Sequence, residues 1–159
     1  MNKIAQGFLL LLFTISITSC TDNSKAQADV ESQPVQTSEP QLKEIMQGLE
    51  EDLAMAAHGI WVQDPQIVQG AAIRIADHPK VTQEQLAVIK LGLGDEIGDF
   101  VRLDQAVHSA AVELTESAGA SGTMEELLVI YHRIEVGCMT CHSAFQKRVS
   151  DALATSGNS

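Results

Sequence analysis

Aromatic and basic residues are scarce in this chain of 159 residues. Phe, Trp and Tyr make up 4% of it, so its core must be built from Ala, Leu, Ile and Val, which suits helices better than a β-sandwich. Ten Lys and Arg residues stand against 21 Asp and Glu, giving a formal net charge of −11. Nucleic acid is therefore not an expected partner, and the acidic surface would serve solubility or a basic partner protein.

A hydrophobic run long enough to cross a bilayer comfortably is also missing, since the longest run covers residues 8–17. Lys3 precedes this run and the sequence "ITSC" ends it, which is the pattern of a signal peptide over residues 1–19. The "ITSC" segment resembles the lipobox of bacterial lipoproteins. That resemblance implies that Cys20 is lipidated and that the protein is anchored to a membrane in the bacterial periplasm.

Cysteine is limited to three residues, an odd number for an exported protein. Apart from Cys20, the cysteines are Cys138 and Cys141, which belong to one motif. If Cys20 carries lipid, no thiol is therefore left over. Residues 20–40 are polar, lack aromatics and contain two prolines, which predicts a flexible linker. Residues 41–155 then form one domain, long enough for a single core.

Within that domain, apolar residues recur at spacings of three and four, the period of a helix buried on one side. The first helix begins after Gln41 and has Met46 in the centre of its apolar stripe. Asp64 is the predicted N-cap of the second helix, which ends before Pro79.

The sequence "TQEQ" (82–85) predicts a capping box and a short helix through Leu91, and the glycines after it predict a break. Asp95 is expected to cap the next helix. Thr123 and Glu126 form another capping box, which opens the last helix. The apolar seam of that helix consists of Leu127, Tyr131, Ile134, Cys138, Cys141 and Phe145. Four principal helices with short connections predict an all-α, antiparallel four-helix bundle.

The last helix also contains the motif "CMTCH" (138–142). Residues three and four apart share a helix face, so Cys138, Cys141 and His142 are expected to point together toward the bundle interior. C-x-x-C-H is the attachment signature of c-type haem, in which two thiols add to vinyl groups and the adjacent imidazole reaches the iron.

Other interpretations of the motif are less well supported. A structural zinc ion needs four ligands, and the other histidines (58, 78, 108 and 132) are scattered singly, as expected of surface or loop residues. A thioredoxin-type pair begins a helix, whereas this motif lies about four turns inside one. A disulfide between i and i+3 of a continuous helix is poorly placed. A haem-free bundle with a redox dithiol stays as a third alternative.

An all-helical chain with C-x-x-C-H in its last helix resembles the class II c-type cytochromes, which are the cytochrome c-prime family and its low-spin relatives. The resemblance covers about residues 41–153 and includes an aromatic residue, Phe145, three positions after the haem histidine. The family often has a basic residue directly after that aromatic, where this chain has Gln146. The resemblance places the haem near the C-terminal end of the bundle.

The family resemblance implies one covalent haem c, held by Cys138 and Cys141, with His142 as the proximal iron ligand. It makes Met46 the distal ligand, and His/Met ligation is that of a single-electron carrier. If Met46 does not bond the iron, the five-coordinate haem would bind NO or CO, and this is the alternative function. By the same resemblance Lys43 would reach a haem propionate, and a homodimer is compatible with the family.

No nucleophile–base arrangement or phosphate loop is apparent in the sequence, so an enzyme is not predicted. Trp61 and Tyr131 are expected to fill the core at helical spacing. The expected redox partner is a protein of unspecified identity.

Overall fold

The computed structural model describes residues 41–156, which form five α-helices with no strand among them. The helices are α1 (Leu42–Trp61), α2 (Pro65–Ala76), α3 (Gln83–Leu93), α4 (Ile97–Gly119) and α5 (Met124–Ser156). A 3₁₀ turn, Gly94–Glu96, leads into α4. The predicted all-α helical bundle is confirmed.

Several predictions concern the start of the chain. The signal peptide (1–19), the linker (20–40) and Cys20 lie outside the described residues. Within the part of the chain that is described, no helix is both long enough and apolar enough to cross a membrane.

Side-chain caps begin α2 and α5 where the sequence predicts them. The Asp64 carboxylate accepts hydrogen bonds from the N–H groups of Gln66 and Ile67, at 2.9 and 3.3 Å. The Thr123 N–H donates to the Glu126 carboxylate at 2.9 Å, and the Thr123 hydroxyl accepts from the Glu126 N–H at 3.3 Å. These bonds satisfy N–H groups that have no partner within the helix, so both predictions are confirmed.

The capping box predicted for α3 forms only in part. The Thr82 hydroxyl accepts from the Gln85 N–H at 3.1 Å, as expected. The Gln85 side chain, however, bonds to the start of α1: its oxygen accepts from the Leu42 N–H at 3.1 Å, and its amide donates to the side chain of Gln41, just before the helix, at 2.7 Å. Gln85 thus satisfies an N–H group in the first turn of α1 and connects α3 to that turn.

The segment between α3 and α4 differs from the prediction. α3 continues to Leu93 rather than ending at Leu91. Asp95 does not cap α4, because the 3₁₀ turn that contains it joins α4 directly, with Glu96 in a helical conformation. Gly94, the first residue of the turn, has a positive φ of 54°, which glycine adopts more easily than other residues.

Most of the buried side chains form two clusters, one in each half of the bundle. The first core cluster is built by α2, α4 and α5 with α1 packed against it, and the second by α1, α3 and α5 with α4 packed against it. The first consists of Val68, Ala72, Ile75, Ala110, Ala111, Leu114, Ala118, Leu127, Ile130 and Ile134; the second consists of Leu42, Ile89, Leu93, Phe145 and Val149. The two halves of α5 therefore serve different clusters.

α1 and α2 approach each other closely at Gly59, which is buried. A Cβ atom on this residue would lie 2.8 Å from the backbone nitrogen of Val68 and 2.8 Å from its Cγ2. Both distances are shorter than a van der Waals contact, so this close crossing requires glycine.

Candidate functional site

The C-x-x-C-H motif lies in the middle of α5, at the junction of the two core clusters. Cys138 is partly buried and packs against the first cluster, whereas Cys141 packs against the second. Both are free thiols. About one helical turn separates them, so the motif spans the point where one half of the core gives way to the other.

Burial determines the acidity of both thiols. It raises the pKa of Cys138, and the nearby Glu135 adds to the effect. It also raises the pKa of Cys141, with a further contribution from Asp104 on α4. Both thiols are therefore protonated at neutral pH. Thiol–disulfide exchange requires a thiolate, usually obtained through a lowered pKa, so this environment does not favour a redox dithiol.

His142 does not face the bundle interior, contrary to the prediction, and its side chain is exposed. Successive residues of a helix are about 100° apart, so His142 lies about 40° from Cys138 and about 100° from Cys141. Because the packed face of α5 includes both cysteines, His142 falls at its edge. It makes no hydrogen bond or ion pair with another described residue, so both ring nitrogens are available to a ligand.

Gly137 allows α4 to approach α5 beside the first cysteine. A Cβ atom on Gly137 would lie 2.7 Å from Cγ2 of Val107, which is too close for a real contact. Gly137 and His142 point about 140° apart around the helix axis. α4 therefore packs on one side of the motif, and His142 projects from the side of α5 that faces away from α4.

Met46 on α1 is partly buried and packs against the second core cluster, as Cys141 does. The fold thus brings a thioether and the second thiol of the motif to the same half of the core. Of the other described methionines, Met55 and Met139 are exposed, and Met124 packs against the first cluster. Among the described residues, Met46 is therefore the methionine best placed to contact a group held at Cys141.

Some of the residues singled out in the sequence have no place in this site. Trp61 is 86% exposed, so the prediction that it fills the core is wrong. Ile60 takes the inward position at the end of α1, and Trp61 follows about 100° around the helix. Tyr131 packs partly buried against the first cluster, as expected. The exposed side chains also include Lys43, His58 and His132.

Two histidines that are far apart in the sequence come together in the fold. His78, in the loop after α2, and His108, on α4, have their Nε2 atoms 3.0 Å apart, although 30 residues separate them. Asp104 places a carboxylate oxygen 3.8 Å from Nε2 of His108. The sequence analysis missed this cluster, for which the local signal is the spacing of four residues between Asp104 and His108.

The donor groups at the motif fit a covalently attached haem. Attachment requires two reduced thiols in C-x-x-C, and Cys138 and Cys141 are free thiols on the packed face of one helix. Iron ligation requires an imidazole nitrogen without another partner, which His142 provides. A thioether is available from Met46, on a different helix but in the same half of the core as Cys141.

Comparisons with known proteins yield no match: no family model, no curated protein and no solved structure shows significant similarity to the chain.

Proposed function

We propose that this protein is a membrane-anchored monohaem c-type cytochrome of the bacterial periplasm that carries single electrons. The observation that carries the proposal is the C-x-x-C-H motif on α5, with two free thiols at the junction of the core clusters and an unpartnered histidine beside them. The helical bundle and the late position of the motif support a relation to the class II c-type cytochromes.

Cys138 and Cys141 would hold the haem covalently. Each thiol adds its S–H bond across a vinyl double bond, so that one C–S and one C–H bond form and no oxidant or reductant is consumed. Packing against the two core clusters would fix the spacing of the two sulfur atoms. His142 would bind the iron from the edge of α5 that faces away from α4.

Met46 would provide the second axial ligand from α1. A haem iron with His and Met ligands supplies reversible one-electron transfer at a raised potential. The apolar side chains of the second core cluster surround the Met46 position and would keep water away from its sulfur. Exclusion of water and a low local polarity favour the less charged, reduced state.

The surface charge suits a carrier that docks on a basic redox partner. A net charge of −11 would steer such a partner into contact, most strongly at low ionic strength. Lipidation of Cys20 would attach the domain to the membrane through the linker predicted over residues 20–40. α5 also exposes Val129, Val136 and Met139, an apolar surface compatible with a homodimer. We propose no enzymatic activity.

Optical spectra of the matured, exported protein test this proposal. We expect low-spin spectra in both oxidation states that do not change when CO is added, because Met46 would occupy the sixth position. A high-spin ferrous spectrum that shifts with CO would contradict the electron carrier and support the protein that binds NO or CO. The absence of any haem spectrum would contradict both functions and favour the haem-free dithiol bundle.

A further inference from the structure

We propose that His78, Asp104 and His108 form a second site, which binds a divalent transition-metal ion such as Zn²⁺. Their ligand atoms all lie within 4.8 Å of one another. The site uses no residue of the C-x-x-C-H motif, and the inference does not depend on the presence of haem.

Backbone carbonyl groups determine which nitrogen of each ring carries the proton. Nδ1 of His108 lies 2.9 Å from the Ala76 oxygen, and Nδ1 of His78 lies 2.7 Å from the Pro79 oxygen. Because a carbonyl oxygen can only accept, each Nδ1 must donate. In a neutral imidazole the lone pair is then on Nε2, ready to bind a metal ion. Ring N–H groups that donate to backbone carbonyls are typical of metal-binding histidines.

The two Nε2 atoms face each other at the distance that a shared metal ion requires. They are 3.0 Å apart, and two lone pairs this close repel each other unless a proton or a metal ion lies between them. Metal–nitrogen bonds of about 2.0–2.1 Å place neighbouring nitrogens about 2.9 Å apart in an octahedral site and about 3.4 Å apart in a tetrahedral one. The observed spacing lies within this range.

Asp104 supplies negative charge and a third ligand. Its Oδ2 lies 3.8 Å from Nε2 of His108, and its side chain is 50% exposed, so a rotation would bring the carboxylate onto the ion. The His108 side chain is 33% exposed, which leaves access for water as a further ligand. Two imidazoles and one carboxylate suit Zn²⁺ or a neighbouring first-row ion, whereas Mg²⁺ and Ca²⁺ prefer oxygen ligands alone.

A metal ion at this site would connect the loop between α2 and α3 to α4. His78 belongs to that loop, and Asp104 and His108 are about one turn apart on α4. An ion that binds this folded arrangement and not the unfolded chain raises the stability of the protein by mass action. We therefore expect Zn²⁺ to raise the midpoint of thermal unfolding.

Calorimetric titration of the mature full-length protein with Zn²⁺ tests the site. We expect saturable binding of a single ion per chain, accompanied by the rise in thermal midpoint. His78→Asn and His108→Asn should each weaken this binding by at least about 10-fold, the scale on which even supporting residues of metal sites act. Asp104→Asn, at an exposed position and nearly equal in shape, should weaken it without disturbing the core.

His132→Asn is the matched control. His132 on α5 also has an acidic neighbour, with 3.2 Å between its Nδ1 and Glu135, but no second histidine faces it. Its replacement should leave Zn²⁺ binding unchanged. The proposal is overturned if the protein does not bind Zn²⁺, or if binding persists unchanged in both His78→Asn and Asp104→Asn. These two variants decide the outcome if His108→Asn fails to fold.

Discussion

The three donor residues of the motif occupy different environments at the scale of single residues. The thiols of Cys138 and Cys141 are partly buried with raised pKa values, whereas the next residue, His142, is exposed. One residue step of about 100° around α5 is enough for this change. This arrangement, with two partly buried thiols and an exposed imidazole, suits a group that is attached through the thiols and ligated at the edge of the helix.

Replacement of Met46 tests the second axial ligand. In Met46→Ala we expect the low-spin spectrum to become high-spin and to respond to CO, because alanine has no donor atom. Met55→Ala is the control on the same helix, since Met55 is 44% exposed, and its spectrum should stay low-spin. A Met46→Ala protein that keeps the low-spin spectrum would show that another residue occupies the sixth position.

The types of site residue could be predicted from the sequence, because C-x-x-C-H is a local pattern. The exposure of His142 could not, because it depends on how α5 is rotated against its neighbours. That rotation is set by contacts such as the one between Gly137 and Val107 on α4. Likewise, the contact of His78 with His108 joins residues 30 positions apart, which no local pattern reports.

At the scale of the helices, the packing of α4 against α5 depends on the absence of a side chain at Gly137. We expect Gly137→Ala to lower the free energy of unfolding by about 1–3 kcal/mol, because the added methyl would overlap the rigid Val107 side chain. Gly98→Ala on α4, where nothing lies within 4 Å of the new Cβ, should instead stabilise by up to about 1 kcal/mol.

Urea unfolding followed by circular dichroism measures both variants. If Gly137→Ala were as stable as Gly98→Ala, the close approach of the two helices beside the motif would be contradicted.

The 3₁₀ turn before α4 is connected to α5 through a double hydrogen bond between Glu96 and Arg148. This bond lowers the pKa of Glu96 below its usual value. The stabilising effect is therefore fully present above the pKa of the unfolded chain, near pH 4.3, and is lost as the pH falls through the lower folded value.

Glu96→Gln should remove that part of the acid dependence. We expect the stability of the variant to fall less steeply than that of the parent protein below about pH 4.3, as measured by urea unfolding at a series of pH values. Asp95→Asn is the control in the same turn, because Asp95 makes no ion pair with a described residue. An equal change in both variants would contradict the role of the Glu96–Arg148 pair.

Helix starts defined by local caps, such as Asp64 and the Thr123–Glu126 box, could be predicted from the sequence. The start of α4 could not, because Glu96 continues the helix backbone and its side chain bonds to Arg148, 52 residues away. In the Thr82 capping box the Gln85 side chain would be expected to accept from the Thr82 N–H. It accepts instead from the Leu42 N–H on α1. In each case a distant partner competes with the local one.

At the scale of the whole molecule, the core is divided between two clusters that α5 joins. The predicted helical bundle follows from apolar periodicity, but the division does not, because periodicity does not show which helices meet in each half. The cysteines lie where the clusters meet, so a haem attached there would contact both halves of the fold.

The membrane anchor is a property of the whole chain. In Cys20→Ala we expect the protein to move from the membrane fraction to the soluble periplasmic fraction, because the lipid acceptor is removed. Cys20 is the predicted lipidation site. The parent protein, in which Cys20 and the signal peptide are intact, provides the control. Unchanged membrane association of Cys20→Ala after cleavage of the signal peptide would contradict lipid anchoring at this residue.

We propose above all that Cys138 and Cys141 hold one haem covalently. This attachment is tested most directly by the intact mass of the mature, exported protein, measured after denaturation in acidic organic solvent. We predict a mass that exceeds that of the processed and lipidated chain by one haem, and the loss of this increment when both cysteines are replaced by serine. A chain mass without the haem, from cells that attach haem to other c-type cytochromes, would contradict the account.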